Sequence, residues 1–169
     1  MENKMLEKRI KYLLIFFITA MILSGLTAFP IEKGLGFLNS NFGPGTIMEN
    51  YWPAMSQWIG RVFAGVVNTY HLYPFIAYGT DWLAFAHIVI AIAFIGPLRE
   101  PVKNIWVVEF GMIACALVLP LALICGPIRG IPFFWILIDC SFGVLGFILL
   151  WVTRKYILRS ATIYSSNDQ

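Results

Sequence analysis

Four stretches of the chain are almost unbroken apolar runs, at roughly residues 12–29, 81–98, 105–127 and 131–153. Each is near the ~20 residues that a helix needs to cross a hydrocarbon core about 30 Å thick. Helix is required there, because backbone N–H and C=O groups in lipid need partners and a helix supplies them within the segment. Polar turns separate the last three runs. Pro97, Arg99, Glu100, Pro101, Lys103 and Asn104 make the first, and Gly126-Pro127-Ile128-Arg129-Gly130 the second. The predicted fold is all-α, a four-helix membrane bundle forming a single membrane domain over residues 1–169.

Residues 30–80 are the only sizeable stretch between spans. The first half, with Gly34, Gly36, Asn39, Asn41, Gly43, Pro44 and Gly45, reads as loop. From Pro53 the pattern changes. Met55, Ile59, Val62, Phe63, Val66, Val67 and Tyr70 recur at spacings of three and four, while Ser56, Gln57, Gly60, Arg61, Ala64 and Asn68 take the other face. This predicts an amphipathic helix over about 53–70, with Pro53 in the first turn where its missing N–H costs least. It should lie in the outer interface between spans one and two. Trp52, Trp58, Tyr70, Tyr73 and Tyr78 suit the aromatic belt of that region.

Composition sharpens the class. The chain is 59% hydrophobic and 12% charged, about half the charged share of a soluble domain. Positive charge is uneven. Lys4, Lys8, Arg9, Lys11, Arg99, Lys103, Arg154, Lys155 and Arg159 fall on one side of the four-span arrangement, against Lys33, Arg61 and Arg129 on the other. Cationic residues stay cytoplasmic, so both termini are expected inside the cell. A fifth crossing over 62–78 would export five of those nine cations. The first run follows a basic segment but ends Thr27-Ala28-Phe29-Pro30 without a small-x-small cleavage site, and is read as a retained span. No basic stripe outside the membrane flanks suggests nucleic acid. The expected partner is the lipid bilayer, with a lipophilic small molecule or a larger membrane complex beside it.

Ionisable residues inside a membrane are costly and need a reason. Three qualify, His87, Glu109 and Asp139. At ~1.5 Å per residue from the outer helix ends, His87 and Ser24 lie roughly 9 Å deep and Asp139 roughly 12 Å deep. Glu109 lies near the inner start of span three, within reach of Arg99 or Lys103. His87 shares a face with Thr80, Ala84 and Ala91, and Asp139 with Pro132, Gly143 and Gly146. Small residues line helix contacts in membranes, so both polar groups should point into the bundle. Pro120 leaves the Ala116 carbonyl without its usual donor at a similar depth. Ser24, His87 and Asp139 are therefore expected to form one candidate polar site, with Asp81 and Arg129 at its mouth. The plainer reading of the His87 and Asp139 pair is a hydrogen bond that fixes helix register.

Other chemistry is weakly signalled. Cys115, Cys125 and Cys140 all fall in apolar runs, with no CxxC and no Cys/His set at metal spacing. Ser24 and Ser141 have no Gly-x-Ser-x-Gly context. Haem ligation would have to use His71 and His87, the only two histidines. No inverted repeat suggests a transporter.

The run YPFIAYGTDWLAFAHIVIAIAFIGPLREPVKNIWVVEFGMIA, followed by GPIRGIPFFWILIDCSFGV, resembles a family of uncharacterised bacterial four-span inner-membrane proteins. The resemblance covers about the last two thirds of the chain, with an echo in SGLTAFP of span one. It implies a shared four-helix fold and a bacterial inner-membrane location, and no activity. Quinone-linked thiol oxidoreductases would need a CxxC near a helix end, and claudin-like proteins a cysteine pair in residues 30–80. Both are absent. Three functions remain open. The chain is a non-catalytic accessory subunit or binder of a lipophilic molecule in an outer-leaflet pocket; or a membrane enzyme acting on a lipid-like substrate with Asp139 and His87 as acid–base pair; or a b-haem or quinone redox protein. The cofactor is left unknown.

Overall fold

The computed structural model describes residues 2–167, with side chains for residues 4–163. The described residues form α-helices α1 (Glu2–Ala28), α2 (Ile31–Phe42), α3 (Ile47–Tyr51), α4 (Pro53–Leu72), α5 (Ala77–Ala93), α6 (Ile95–Arg99), α7 (Ile105–Ile128) and α8 (Phe133–Asn167), with one 3-10 turn at Pro74–Ile76. No strand occurs among them. Four segments are long and apolar enough to cross a membrane, Lys4–Ala28, Pro74–Arg99, Ile105–Ile128 and Phe133–Ile163. The protein is an all-α, four-helix membrane protein.

The helices overrun the expected spans. α1 begins at Glu2 instead of residue 12, and α8 continues past residue 153 to Asn167. A 35-residue helix is about 52 Å long at 1.5 Å per residue, well beyond a hydrocarbon core of about 30 Å. The added turns are therefore the charged ones. Lys155 lies over the Trp151 ring, 3.6 Å from its centroid, and Arg9 over Tyr156 at 5.8 Å. Both keep a cation beside an aromatic anchor, as interfacial residues do.

The chain divides into two compact units. One comprises residues 1–20 and 90–169. Its core joins Ile10 and Leu14 of α1, Phe94, Val107 and Val108 of α7, and Leu150 and Ile157 of α8. Phe94 is fully buried and packs against Phe17 in a tilted pair, 4.6 Å between ring centroids. It also marks the break between α5 and α6. Pro97 has no N–H for the Ala93 carbonyl, so the helix loosens one turn earlier. The polar turn that follows is pinned by Asn104, whose side-chain amide donates to the carbonyls of Gly96 (3.2 Å) and Glu100 (3.1 Å). Lys103 donates to Glu100 at 2.7 Å. That hydrogen bond, helped by the carboxylate charge, raises the affinity of Lys103 for its proton. Glu109 was expected to reach Arg99 or Lys103. It pairs instead with Arg154 of α8, at 2.8 Å.

The α7–α8 turn closes on a glycine. Gly130 has φ +69°, its N–H bonds the Pro127 carbonyl, and the Ile131 N–H bonds the Gly126 carbonyl. This is the double bond pattern that ends a helix on a left-handed residue. Along the hairpin a Cβ on Gly143 would lie 2.7 Å from the Cys115 carbonyl oxygen, and one on Gly146 would lie 2.8 Å from the Cys115 sulfur. The two helices pack nearly backbone to backbone there.

The other unit is residues 21–89. Residues 31–42, expected as loop, form helix α2. Its glycines do not break it, since Gly36 packs toward the Phe63 ring of α4. Its polar side chains bond within the helix as well, Ser40 to the Gly36 carbonyl and Asn41 to the Phe37 carbonyl. Tertiary contact outweighs the glycine penalty of about 1 kcal/mol. α4 starts at Pro53 and has Ser56 and Ile59 buried, while Gln57, Arg61, Ala64 and Asn68 are exposed. Ser56 departs from its expected polar face. Gly60, one turn on, lets Pro44 approach to 2.7 Å of where a Cβ would sit, so this face of α4 is covered and Ser56 is buried on it.

Candidate functional site

In the unit of residues 21–89, α1 meets α5 at Gly25. A Cβ on Gly25 would lie 2.9 Å from the Ala84 carbonyl oxygen and 3.1 Å from the His87 Cβ. His87 therefore sits at a close helix contact. Its Nδ1 is 2.8 Å from the Leu83 carbonyl oxygen. A carbonyl can only accept, so Nδ1–H donates this bond and Nε2 is the ring nitrogen left facing away from it. The ring is held by its own helix through Nδ1.

Ser24 does not share this contact. It is exposed, while its neighbour Gly25 is buried against α5. Successive helix residues are turned by about 100°, so the side chain beside the contact residue points elsewhere. His71, in the last turn of α4, is exposed.

Asp81 lines a shallow groove of about 280 Å³ with Phe29, Tyr78, Trp82 and Phe85. The α5 members recur at i, i+3, i+4 and i+7, which puts them on one helix face. Tyr78 meets Trp82 edge to face at 5.9 Å, and Trp82 meets Phe85 the same way at 5.9 Å. Asp81 is the one charged side chain on the groove. Within its unit it accepts no hydrogen bond and joins no ion pair among the described residues. The groove thus presents an unneutralised carboxylate beside a run of aromatic rings.

Asp139 and Arg129 belong to the unit of residues 1–20 and 90–169. Asp139 is half-buried on α8, one turn before Gly143. Within its unit it accepts no hydrogen bond among the described residues. Pro120 stands inside α7. Arg129 caps α7 and is exposed, with its N–H bonded to the Cys125 and Gly126 carbonyls. Among the described residues no three His, Cys, Asp or Glu side chains gather as metal ligands, and the cysteines are free thiols.

The chain was compared with protein-family models, curated proteins and solved structures. It matches none of them. The reading of the site therefore rests on its geometry.

Proposed function

We propose that the protein is a non-catalytic membrane protein that binds a lipophilic molecule with an amine headgroup, at the Phe29, Tyr78, Asp81, Trp82 and Phe85 groove. The observation that carries this is Asp81, the one charge on an aromatic groove and without a partner in its unit. Ring faces and a carboxylate both attract an ammonium group. A carboxylate at the edge of a span is costly unless neutralised, and a bound cation neutralises it. The aromatic walls offer contact for the first methylenes of a lipid tail. Binding without turnover suits an accessory subunit of a larger membrane complex as well as a free-standing binder.

The nine-to-three division of Lys and Arg supports a cytoplasmic location for both termini. The groove then lies in the outer leaflet, and α4 rests in the outer interface with Gln57, Arg61 and Asn68 toward water. The resemblance noted above supports a bacterial inner membrane.

The test is lipid extraction and mass spectrometry of the full chain purified in mild detergent. Wild type should retain phosphatidylethanolamine, and Asp81→Asn and Trp82→Ala should lose it while remaining monodisperse. Equal retention by Asp81→Asn would overturn the proposal. The hydrogen bond that orients the His87 ring favours a second reading, a membrane enzyme acting on a lipid-like substrate with Asp139 and His87 as acid–base pair. Turnover of a co-purified lipid that His87→Gln abolishes would select that reading.

A further inference from the structure

A second groove, of about 320 Å³, lies in the unit of residues 1–20 and 90–169. It is made where the first turns of α1, the turn after α6 and the last turns of α8 come together. Ile10 and Ile157, 2% and 0% exposed, form its apolar floor with Leu98. Lys11 of α1 and Arg99 at the end of α6 are both exposed and stand on its wall. Glu7, one helical turn before Lys11, is its only carboxylate and already has an interaction of its own.

Several other cations of this unit are engaged elsewhere. Lys103 is paired with Glu100, Arg154 with Glu109, Lys155 covers Trp151 and Arg9 covers Tyr156. Lys4 and Lys8 are exposed on α1 and do not line the cavity, whereas Lys11 and Arg99 do. Neither has a carboxylate within ion-pair distance among the described residues, and both line one cavity. Two cations and one carboxylate leave the cavity one net positive charge.

We propose that this groove holds the phosphodiester of an anionic phospholipid, with Lys11 and Arg99 as its ligands. An Arg fork and a Lys point charge suit phosphate oxygens. The net charge matches one phosphodiester. The accessible apolar lining of Leu98, Pro101 and Val102 offers contact for the start of the acyl chains, which a soluble phosphate lacks. The charged turns that continue α1 and α8 past their apolar stretches put the cations at headgroup level, where basic pockets between helices take anionic lipids.

The experiment is native mass spectrometry of the full chain in detergent, titrated with phosphatidylglycerol or phosphatidylcholine. Wild type should hold one phosphatidylglycerol and discriminate against phosphatidylcholine. Lys11→Gln with Arg99→Gln should weaken retention at least about tenfold, as the loss of two charge-assisted hydrogen bonds implies. Lys103→Gln with Lys155→Gln removes the same charge from the same unit outside the cavity, and should leave retention unchanged. Equal weakening by both double variants would overturn the site, since the attraction would then be diffuse. Displacement of the lipid by millimolar inorganic phosphate would overturn the lipid assignment in favour of a soluble anion. If the first double variant misfolds, a wild type that binds both lipids equally still refutes the proposal. Asp81→Asn should not affect phosphatidylglycerol retention, so this site and the aromatic groove fail or stand separately.

Discussion

Replacing Gly143 by alanine tests the closest contact between α7 and α8. The new methyl would sit 2.7 Å from the Cys115 carbonyl oxygen, and 3.1 Å from both the Val118 Cβ and the Leu119 Cδ1. Ordinary carbon–oxygen contacts begin at about 3.3 Å, so the helices must separate by roughly 0.6 Å. The carbonyl cannot turn aside, because it belongs to the α7 backbone. A gap of that size forfeits a quarter to a half of the dispersion energy along the seam, and overpacking of this kind costs about 1–3 kcal/mol. Gly146→Ala meets a different obstacle, the Cys115 sulfur at 2.8 Å. A side chain can rotate away, so its cost should be smaller and should vanish in a Cys115→Ala background. There the helix preference of alanine should gain about 0.5–1 kcal/mol. Gly65→Ala supplies the baseline, since no heavy atom lies within 4 Å of its new methyl. The assay is unfolding of the full chain in mixed micelles, read as a double-mutant cycle. A Gly143→Ala protein as stable as wild type would refute the close approach. So would a cycle in which Cys115→Ala rescues Gly143→Ala as fully as Gly146→Ala.

The Glu109 and Arg154 pair joins α7 to α8 with both side chains more than a third exposed, so each of Glu109→Gln and Arg154→Gln should cost about 1 kcal/mol or less. The double variant should be no worse than either single one, and additive losses in the same unfolding assay would show that the pair is not coupled. Reporter fusions after Arg159 should be active only in the cytoplasmic format and fusions near Asn41 only in the exported format. An exported C-terminus would reject the orientation.

The spans were legible because lipid imposes two strict demands, apolar side chains and a satisfied backbone, and both are written locally. Their ends were less legible. Hydropathy falls at Arg154, yet α8 runs on to Asn167, since charge ends a span without ending a helix. Residues 31–42 were misread for a related reason. Gly34 and Gly36 are helix-weakening in isolation, and packing against α4, where Gly36 faces the Phe63 ring, makes a helix there worthwhile. Such a contact has no local signature. The break at Phe94 did have one, in Pro97 three residues on.

The candidate site divides the same way. Asp81 reads as a mouth residue and Tyr78 as one member of an interfacial belt, while Trp82 and Phe85 are left out of that belt although they recur with Tyr78 at helical spacing. Phe29 could not be joined to them from one chain position. Counting residues from a helix end gives depth, and by depth Ser24 and His87 belong together. Facing decides otherwise. The α1 residue against His87 is Gly25, and a shift of one position turns the Ser24 hydroxyl about 100° off the contact. The glycine was the better signal, because a helix that must approach another within backbone distance has to place its smallest residue at the crossing. In a membrane chain the small residues therefore locate the contacts, and the polar groups beside them show which side chains the contacts can hold.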